Sequence, residues 1–150
     1  MNIYESTERD SALIERLTSI WEASVRATHL FLSQSEIAEI KKYVPQALSE
    51  IPHLVVAETA DGNPSAFMGI ADRKLEMLFI SPAERGKGLG KKLINYGINV
   101  FSVNEVTINE QNSPARGFYE HMGFSAYKRS ELDEQGGRHP ILYMRLCSEK

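Results

Sequence analysis

The amino-acid sequence predicts an α/β protein with a mixed central β-sheet and helices on both of its faces. Three observations predict this fold. Two stretches with helical apolar spacing come first, three apolar runs of strand length follow, and helix and strand patterns then alternate to the end. The chain has 150 residues, 42% of them hydrophobic and 25% charged, so we expect one domain over residues 1–150.

The first predicted helix begins at Asp10 or Ser11, because either side chain can cap a helix N-terminus. Apolar residues then recur from Leu13 to Val25 at a spacing close to that of an α-helix. One strand is expected before this helix.

A second helix is predicted after a break near residues 28–33, with Ser33 or Ser35 as its start. Pro45 is expected to kink or end this helix. Its buried face is expected to comprise Ile37, Ile40, Tyr43 and Val44.

Three strands are predicted next, at residues 54–58, 66–71 and 75–80. An Asp-Gly-Asn-Pro turn at residues 61–64 joins the first two into a hairpin. A helix follows from Gly88. Its main apolar stripe is expected to comprise Leu89, Leu93, Tyr96 and Val100.

The last third begins with a strand at residues 103–108 and a helix capped by Ser113, with a proline at its first position. Gly123 is expected to stop this helix. Two strands, at residues 125–131 and 141–146, follow and are joined by a turn around Gly136 and Gly137.

The composition argues against several classes of function. A formal net charge of −3 disfavours nucleic acid as the main partner. No apolar run approaches the roughly 20 residues of a membrane span, and the polar start is unlike a signal peptide, so we expect a cytoplasmic protein. The single cysteine, Cys147, cannot form an internal disulfide, and no Cys/His pairs indicate a metal site.

The segment with the clearest chemical content is residues 85–90, Arg-Gly-Lys-Gly-Leu-Gly, between a predicted strand and a predicted helix. Glycines allow a tight turn and leave backbone N–H groups open to a ligand. Free N–H groups at a helix N-terminus suit a pyrophosphate. The competing interpretation is an ordinary glycine-rich loop with a solvated basic face.

Two other phosphate-binding motifs do not fit the spacing. A P-loop requires Ser or Thr after Gly-Lys, but Gly90-Lys91 is followed by Lys92. A dinucleotide fingerprint requires Gly-x-Gly-x-x-Gly, whereas Gly86, Gly88 and Gly90 are each two residues apart.

The loop and a second segment together resemble the GNAT superfamily of acetyltransferases. Arg85, Gly88 and Gly90 match the three specified positions of its acetyl-CoA signature, Arg/Gln-x-x-Gly-x-Gly/Ala. Residues 112–124 are similar to the family segment Asn-x-x-Ala-x-x-Phe-Tyr-x-x-x-Gly-Phe. Two motifs in the family's order make the resemblance specific.

The order of predicted elements also matches this family, so the resemblance covers essentially the whole chain. Residues 27–32, Ala-Thr-His-Leu-Phe-Leu, and residues 109–112, Asn-Glu-Gln-Asn, resemble the YjaB-type branch of bacterial acetyltransferases. The resemblance implies a single-domain GNAT fold whose sheet contains a splayed strand pair.

The resemblance further implies acetyl-CoA as the acyl donor, with its pantetheine arm paired to the strand before the loop and its pyrophosphate on the loop amides. The implied cofactor-binding residues are Leu78, Phe79, Ile80, Arg85, Gly86, Lys87, Gly88, Leu89, Gly90, Lys91, Asn112 and Tyr119.

Two residues are predicted to be catalytic. The resemblance implies that Tyr119 is the general acid that protonates the departing thiolate. A phenol of pKa about 10 can do so toward a thiolate of pKa about 8.5 at a cost of roughly 2 kcal/mol, small against a reaction barrier. Glu76, an acid within an apolar strand, is expected to act as base or substrate contact. A core tyrosine and a salt-bridge partner are the respective structural alternatives.

The acceptor is expected to be a primary amine of a small molecule or a peptide. Its predicted binding residues are His29, Phe31, Glu76, Thr107 and Asn109, with His29 also a rival to Glu76 as base. Because no nucleophile with an adjacent base is evident, we expect direct attack in a ternary complex. The alternative function is a non-catalytic acyl-CoA-binding or sensor module on the same fold. A homodimer is possible.

Overall fold

The computed structural model describes residues 2–133, 137 and 139–147, and these form seven strands and five helices. The strands are β1 (Asn2–Glu5), β2 (His53–Glu58), β3 (Pro64–Ala71), β4 (Lys74–Ile80), β5 (Glu105–Asn109), β6 (Phe124–Ser130) and β7 (Ile141–Leu146). The helices are α1 (Ser11–Thr28), α2 (Gln34–Lys41), α3 (Val44–Glu50), α4 (Leu89–Phe101) and α5 (Ser113–His121), with a 3₁₀ turn at Pro82–Glu84.

The strands form one sheet in the order β1-β2-β3-β4-β5-β7-β6. All neighbouring strands are antiparallel except β4 and β5, which are parallel. The predicted mixed sheet is therefore confirmed.

Both faces of the sheet are covered by helices, as predicted. Side chains alternate between faces along a strand. In β2, Leu54 and Val56 pack with α1, α2 and α3, whereas Val55 and Ala57 pack with α4. These four side chains are fully buried. Two apolar cores thus hold the sheet in a fixed position between two helical layers.

The parallel pair β4 and β5 is splayed. Only Lys74 and Leu75 of β4 are in register with β5, opposite Glu105 and Val106. From Glu76 onward the two strands diverge, so the ladder of hydrogen bonds between them ends. This confirms the predicted splayed pair and opens a gap in the middle of the sheet.

A β-bulge in β4 lies at the point where the splay begins. Gly69 of β3 pairs with Met77 and Ile70 pairs with Leu75, so Glu76 is the extra residue of the bulge. An extra residue reverses the facing of everything after it. As a result Phe79 faces the α1 layer, and Leu78 faces the α4 and α5 layer.

The predicted helix starts are mostly confirmed. The Asp10 carboxylate accepts a hydrogen bond from Leu13 N at 2.8 Å, and Ser33 forms a capping box with Glu36. Ser113, however, does not cap α5. The Asn112 side chain does so by accepting from Ala115 N at 3.2 Å, because Ser113 is already helical.

The second predicted helix is two helices. Helix α2 ends at Lys41, and Pro45 lies in the first turn of α3, where its missing N–H has no partner to lose. Ile40 and Tyr43, predicted to be buried, are 39% and 62% exposed because the chain turns between the helices. Val100 of α4 is also 55% exposed, at the helix end.

No helix in the described part of the chain is long and apolar enough to cross a membrane. The turn predicted around Gly136 and Gly137 lies partly outside the described residues, and Gly137 N donates to the Asp133 carboxylate at 2.7 Å. A cytoplasmic location and a homodimer stay predictions.

Candidate active site

Two cavities open beside the splayed strands. The first, called the loop cavity, has a volume of about 520 Å³ and lies between the end of α1, the loop before α4, and α5. The second, called the splay cavity, has a volume of about 230 Å³ and lies in the gap between β4 and β5.

The two cavities share a boundary. It consists of the residues that line both of them: His29, Leu78, Phe79, Asn112, Ala115 and Tyr119. A donor molecule in one cavity and an acceptor in the other would therefore meet beside these side chains. Four of the six were predicted as cofactor ligands from the sequence, and His29 as an acceptor contact.

The loop cavity contains the glycine-rich segment. Gly86 and Gly88 have φ values of +79° and +78°, which favour glycine. A Cβ added at either residue would meet no atom of the described residues within 4 Å, so the space above the loop is open. Gly88 directly precedes α4, whose first N–H groups have no helical acceptor. This geometry suits a phosphate group.

Gly90 is a glycine for a different reason. A Cβ there would lie 3.2 Å from Ile80 Cδ1 and 3.3 Å from Phe118 Cζ. The missing side chain lets the first turn of α4 approach β4 and α5 closely. The residues Gly90, Ile80 and the neighbouring Leu89, which were predicted to bind the cofactor, all line the loop cavity.

The basic residues of the loop are not equivalent. Arg85 and Lys91 line the loop cavity, together with Glu84. Lys87 does not line it, and its Nζ lies 3.6 Å from Glu84 Oε1. The structure therefore brings two of the three predicted cationic residues to the candidate phosphate site.

Tyr119 lies on α5 at the shared boundary and is 6% exposed. Its ring packs edge-on against Phe118 and Phe124, at centroid distances of 5.0 and 5.8 Å. Burial raises the pKa of its hydroxyl. The phenol therefore carries its proton throughout the neutral pH range, as a general acid must.

His29 reaches the same boundary from the C-terminal end of α1. Its Nδ1 lies 2.7 Å from Thr28 Oγ1, and its Nε2 lies 3.5 Å from Asn112 Nδ2. Its ring lies between those of Phe31 and Phe79, at centroid distances of 5.3 and 6.4 Å. Burial lowers the pKa of His29, so the imidazole is neutral near pH 7.

The splay cavity receives the other predicted acceptor residues. Glu76, Thr107 and Asn109 all line it. Glu76 is at the exposed rim, with Oε2 3.8 Å from Lys74 Nζ. Phe31 lines neither cavity but packs behind His29.

Several contacts at this end of the molecule were not foreseen from the sequence. His139 Nε2 lies 2.6 Å from Glu36 Oε2, and its Nδ1 lies 3.1 Å from Gln111 Oε1, so α2 and two distant loops meet there. Thr28 was also missed. The only signal for it was its position four residues after Ser24 on the face of α1 that ends at His29.

Among the described residues, no group of three or more His, Cys, Asp or Glu side chains could hold a metal ion. The donors that converge on the loop cavity are instead backbone N–H groups and cationic side chains, which suit phosphate oxygens.

The comparisons with known proteins agree with this geometry. A family model described as an acetyltransferase (GNAT) domain matches residues 23–146. The chain is 41% identical to peptidyl-lysine N-acetyltransferase YjaB from Salmonella typhimurium strain LT2, over 85% of this chain and 88% of that one. It superposes on the solution structure of apo YjaB from Escherichia coli with a TM-score of 0.88 and 35% identity, covering 99% and 100% of the two chains.

A more distant structure shares the fold. The PaiA N-acetyltransferase from Thermoplasma acidophilum, solved in complex with coenzyme A, matches with a TM-score of 0.67 and 19% identity, over 98% of this chain and 100% of that one. Because the GNAT model covers most of the sequence and the fold has the splayed strands and glycine-rich loop expected of it, the chain belongs to the GNAT family of acetyltransferases.

Proposed function

We propose that this acetyltransferase moves the acetyl group of acetyl-CoA to the ε-amine of a lysine in a peptide or protein. The observation that carries the proposal is the shared boundary, where the loop cavity and the splay cavity meet beside Tyr119. A reaction between two molecules needs their reacting atoms held close together, and this arrangement supplies such a place.

The loop cavity fits the acyl donor. Its open glycine backbone, the N-terminus of α4, Arg85 and Lys91 suit a pyrophosphate. Beyond Leu75, β4 has no ladder to β5. Alternate residues of β4 direct their backbone polar groups toward β3, and those between Leu78 and Ile80 that point toward β5 instead can pair with the amides of a pantetheine arm. This pairing would bring the thioester to the shared boundary.

The splay cavity fits a lysine side chain. Leu75, Val106 and Ile108 give it apolar walls for a methylene stem. Glu76 at its rim places a carboxylate where an ammonium group would enter. We propose that Glu76 attracts the amine, and that Thr107 and Asn109 orient it through their polar side chains. The relatives named as peptidyl-lysine N-acetyltransferases support lysine as the acceptor.

We propose Tyr119 as the general acid for the thiolate. Its burial keeps the hydroxyl protonated, and it lines both cavities. Burial also makes the phenol a weaker acid, so proton transfer costs more than for a tyrosine in water. The buried thiolate is itself a stronger base there, because burial disfavours its charged form too.

Transfer by direct attack agrees with the side chains present. Cys147, whose Sγ lies 3.3 Å from Ser125 Oγ, lines neither cavity. A non-catalytic sensor is not favoured, because the curated relatives are named as acetyltransferases.

The test uses purified protein, isotopically labelled acetyl-CoA and a panel of acceptors, with products read by mass spectrometry. The panel holds lysine peptides with blocked N-termini, the same peptides with arginine in place of lysine, free lysine and polyamines. We expect label on the lysine ε-amine and none on the arginine peptides. Label found solely on polyamines or free lysine would contradict a peptide acceptor.

A further inference from the structure

We infer that His29 Nε2 accepts the proton that the attacking amine loses, and that Thr28 is the positioning residue that keeps the lone pair on that nitrogen. The inference rests on the proposed function, since it assigns a role within amine acetylation. It assigns the base to the shared boundary rather than to Glu76 at the rim.

The single hydroxyl proton of Thr28 determines which ring nitrogen of His29 is protonated. Thr28 Oγ1 lies 2.8 Å from the Ser24 carbonyl oxygen, which can only accept, so the hydroxyl donates its proton there. Toward His29 Nδ1, at 2.7 Å, the same oxygen must then accept. Nδ1 therefore carries the imidazole proton, and Nε2 of the neutral ring carries the lone pair.

The contact with Asn112 independently indicates the same tautomer of His29. Its Oδ1 accepts from Ala115 N at the start of α5, so its Nδ2 amide group is the part that faces His29. An amide N–H₂ can only donate, and Nε2 at 3.5 Å must be the acceptor. Contacts on opposite sides of the ring thus require the same tautomer.

His29 is better placed than Glu76 to take a proton from the attacking amine. His29 lines both cavities, whereas Glu76 lines the splay cavity alone and has Lys74 as an ionic neighbour. The 3.5 Å contact with Asn112 is long, so an amine can replace it at Nε2. The rings of Phe31 and Phe79 limit how far the imidazole can turn.

The surroundings of His29 favour the neutral form. The titratable or charged side chains that share its two cavities are Glu76 and Tyr119 on one side and Glu84, Arg85 and Lys91 on the other, with His139 behind Phe31. Burial is the cause that lowers the pKa of His29, so the lone pair is available at neutral pH.

The proton balance of the step is complete. The neutral amine forms its N–C bond to the acetyl carbon, and the C–S bond breaks with its electron pair on sulfur. The amine N–H proton passes to His29 Nε2, and the Tyr119 hydroxyl proton passes to the thiolate. Water then returns a proton from the imidazolium to the phenolate, which restores both side chains.

The tautomer is tested by ¹⁵N NMR of the histidine rings in the intact protein, with the four histidines assigned by triple-resonance spectra. We expect Nδ1 of His29 in the protonated state and Nε2 unprotonated at pH 7. In Thr28→Val the proton should redistribute toward Nε2. A wild-type spectrum with the proton on Nε2 would overturn the inference.

Kinetics test the role. Thr28→Val should lower kcat for a blocked lysine peptide by about 5-fold, because one hydrogen bond is lost. Thr18→Val is the matched control: its hydroxyl also donates to a carbonyl four residues earlier on α1, Ile14 O at 2.8 Å, but the residue that follows it is Ser19. We expect wild-type kcat for that variant.

His29→Gln should lower kcat by about 100-fold and remove the part of the fall of kcat at low pH that His29 causes, while the lysine amine still makes kcat/KM fall. His121→Gln, on the exposed side of α5, should have wild-type kcat and a wild-type pH profile. Wild-type kcat and pH profile in His29→Gln would overturn the inference while leaving the proposed function intact. A wild-type enzyme that acetylates no lysine peptide would overturn both.

Discussion

The loop cavity and the splay cavity are built in different ways. The loop cavity has its essential features in a few consecutive residues, because a phosphate site needs open backbone N–H groups and positive charge. The splay cavity and its boundary draw on α1, β4, β5 and α5, which are far apart in sequence. The features proposed to bind the donor are thus mostly local in the sequence, whereas the proposed acceptor site depends on how distant elements pack.

The largest effect on acetyl-CoA binding is expected from a substitution at Gly88. Gly88→Glu puts a side chain and a negative charge into the open space where phosphates would lie. We expect the Kd of acetyl-CoA to rise by about 1000-fold, since about two charge-assisted hydrogen bonds are lost. Isothermal titration calorimetry measures this.

The control for that variant is Gly62→Glu in the β2–β3 turn. Like Gly88, Gly62 has a positive φ, of +84°, and open space around it. It lies outside both cavities. If both variants lose acetyl-CoA equally, backbone strain and not the phosphate site explains the loss.

Tyr119→Phe tests the boundary. Removing the proton donor while keeping the ring should lower kcat by about 100-fold and leave the Kd of acetyl-CoA within about 2-fold. Tyr96→Phe on α4 removes the same atom outside both cavities and should keep wild-type kcat. Equal kcat in Tyr119→Phe and wild type would show that Tyr119 is a core residue only.

The raised pKa of Tyr119 has a pH consequence. Because burial moves it upward, the acid stays protonated past the usual tyrosine value of about 10. We expect no loss of kcat from this group between pH 8 and about pH 10, measured in stopped assays with wild-type protein. A kcat that falls with a midpoint in that window in wild type but not in Tyr119→Phe would contradict the assignment.

Glu76→Gln tests the acceptor side alone. Loss of the rim carboxylate should raise the KM of a lysine peptide by about 5-fold, the size expected for one exposed ionic contact. The Kd of acetyl-CoA should not change, because Glu76 does not line the loop cavity. Glu120→Gln, which removes an exposed charge beside Arg116, serves as control. A changed acetyl-CoA Kd in Glu76→Gln would show that the two cavities are not separable.

The smallest expected effect is on the Tm, through Glu36 of α2 and its contact with His139. Hydrogen bonds from Ser33 N–H and then from His139 lower the pKa of Glu36 from 4.5 to about 2. Glu36→Ala should lower the Tm by about 2 to 4 °C at pH 7. Since the pKa is depressed, this contribution is present above pH 4.5 and fades as pH falls toward 2.

The matched variant is Glu39→Ala, which removes an exposed glutamate of the same helix that has Lys42 as partner but no capping role. Thermal unfolding at pH 7 and pH 3 should show a difference between the two variants that shrinks at the lower pH. A Tm difference that is independent of pH would mean that the charge of Glu36 does not stabilise the folded protein.

The sequence predicted what depends on local pattern. Apolar spacing located the helices and strands, and the positions of glycine and charge located the donor loop. The GNAT resemblance supplied the splay and Tyr119. The helices, the strands and the glycine-rich loop depend on residues close together in the chain, and the structure contains them, as it does the splayed pair. The role of Tyr119 stays a prediction.

The sequence could not predict what depends on distant packing. The bulge at Glu76 arises from the pairing of β4 with β3, and no spacing rule reveals it. The contact between His29 and Asn112 joins residues 83 positions apart. The Asn112 cap was assigned one residue too late, because Ser113 is an equally good capping residue by type.

We propose that donor and acceptor occupy the two cavities at once and react at their shared boundary. The most direct test is the initial-velocity pattern of the wild-type enzyme with acetyl-CoA and a lysine peptide both varied. The account predicts intersecting double-reciprocal lines and no acetylated protein when acetyl-CoA is added alone. Parallel lines, with an acetyl-enzyme seen by intact-protein mass spectrometry, would contradict it.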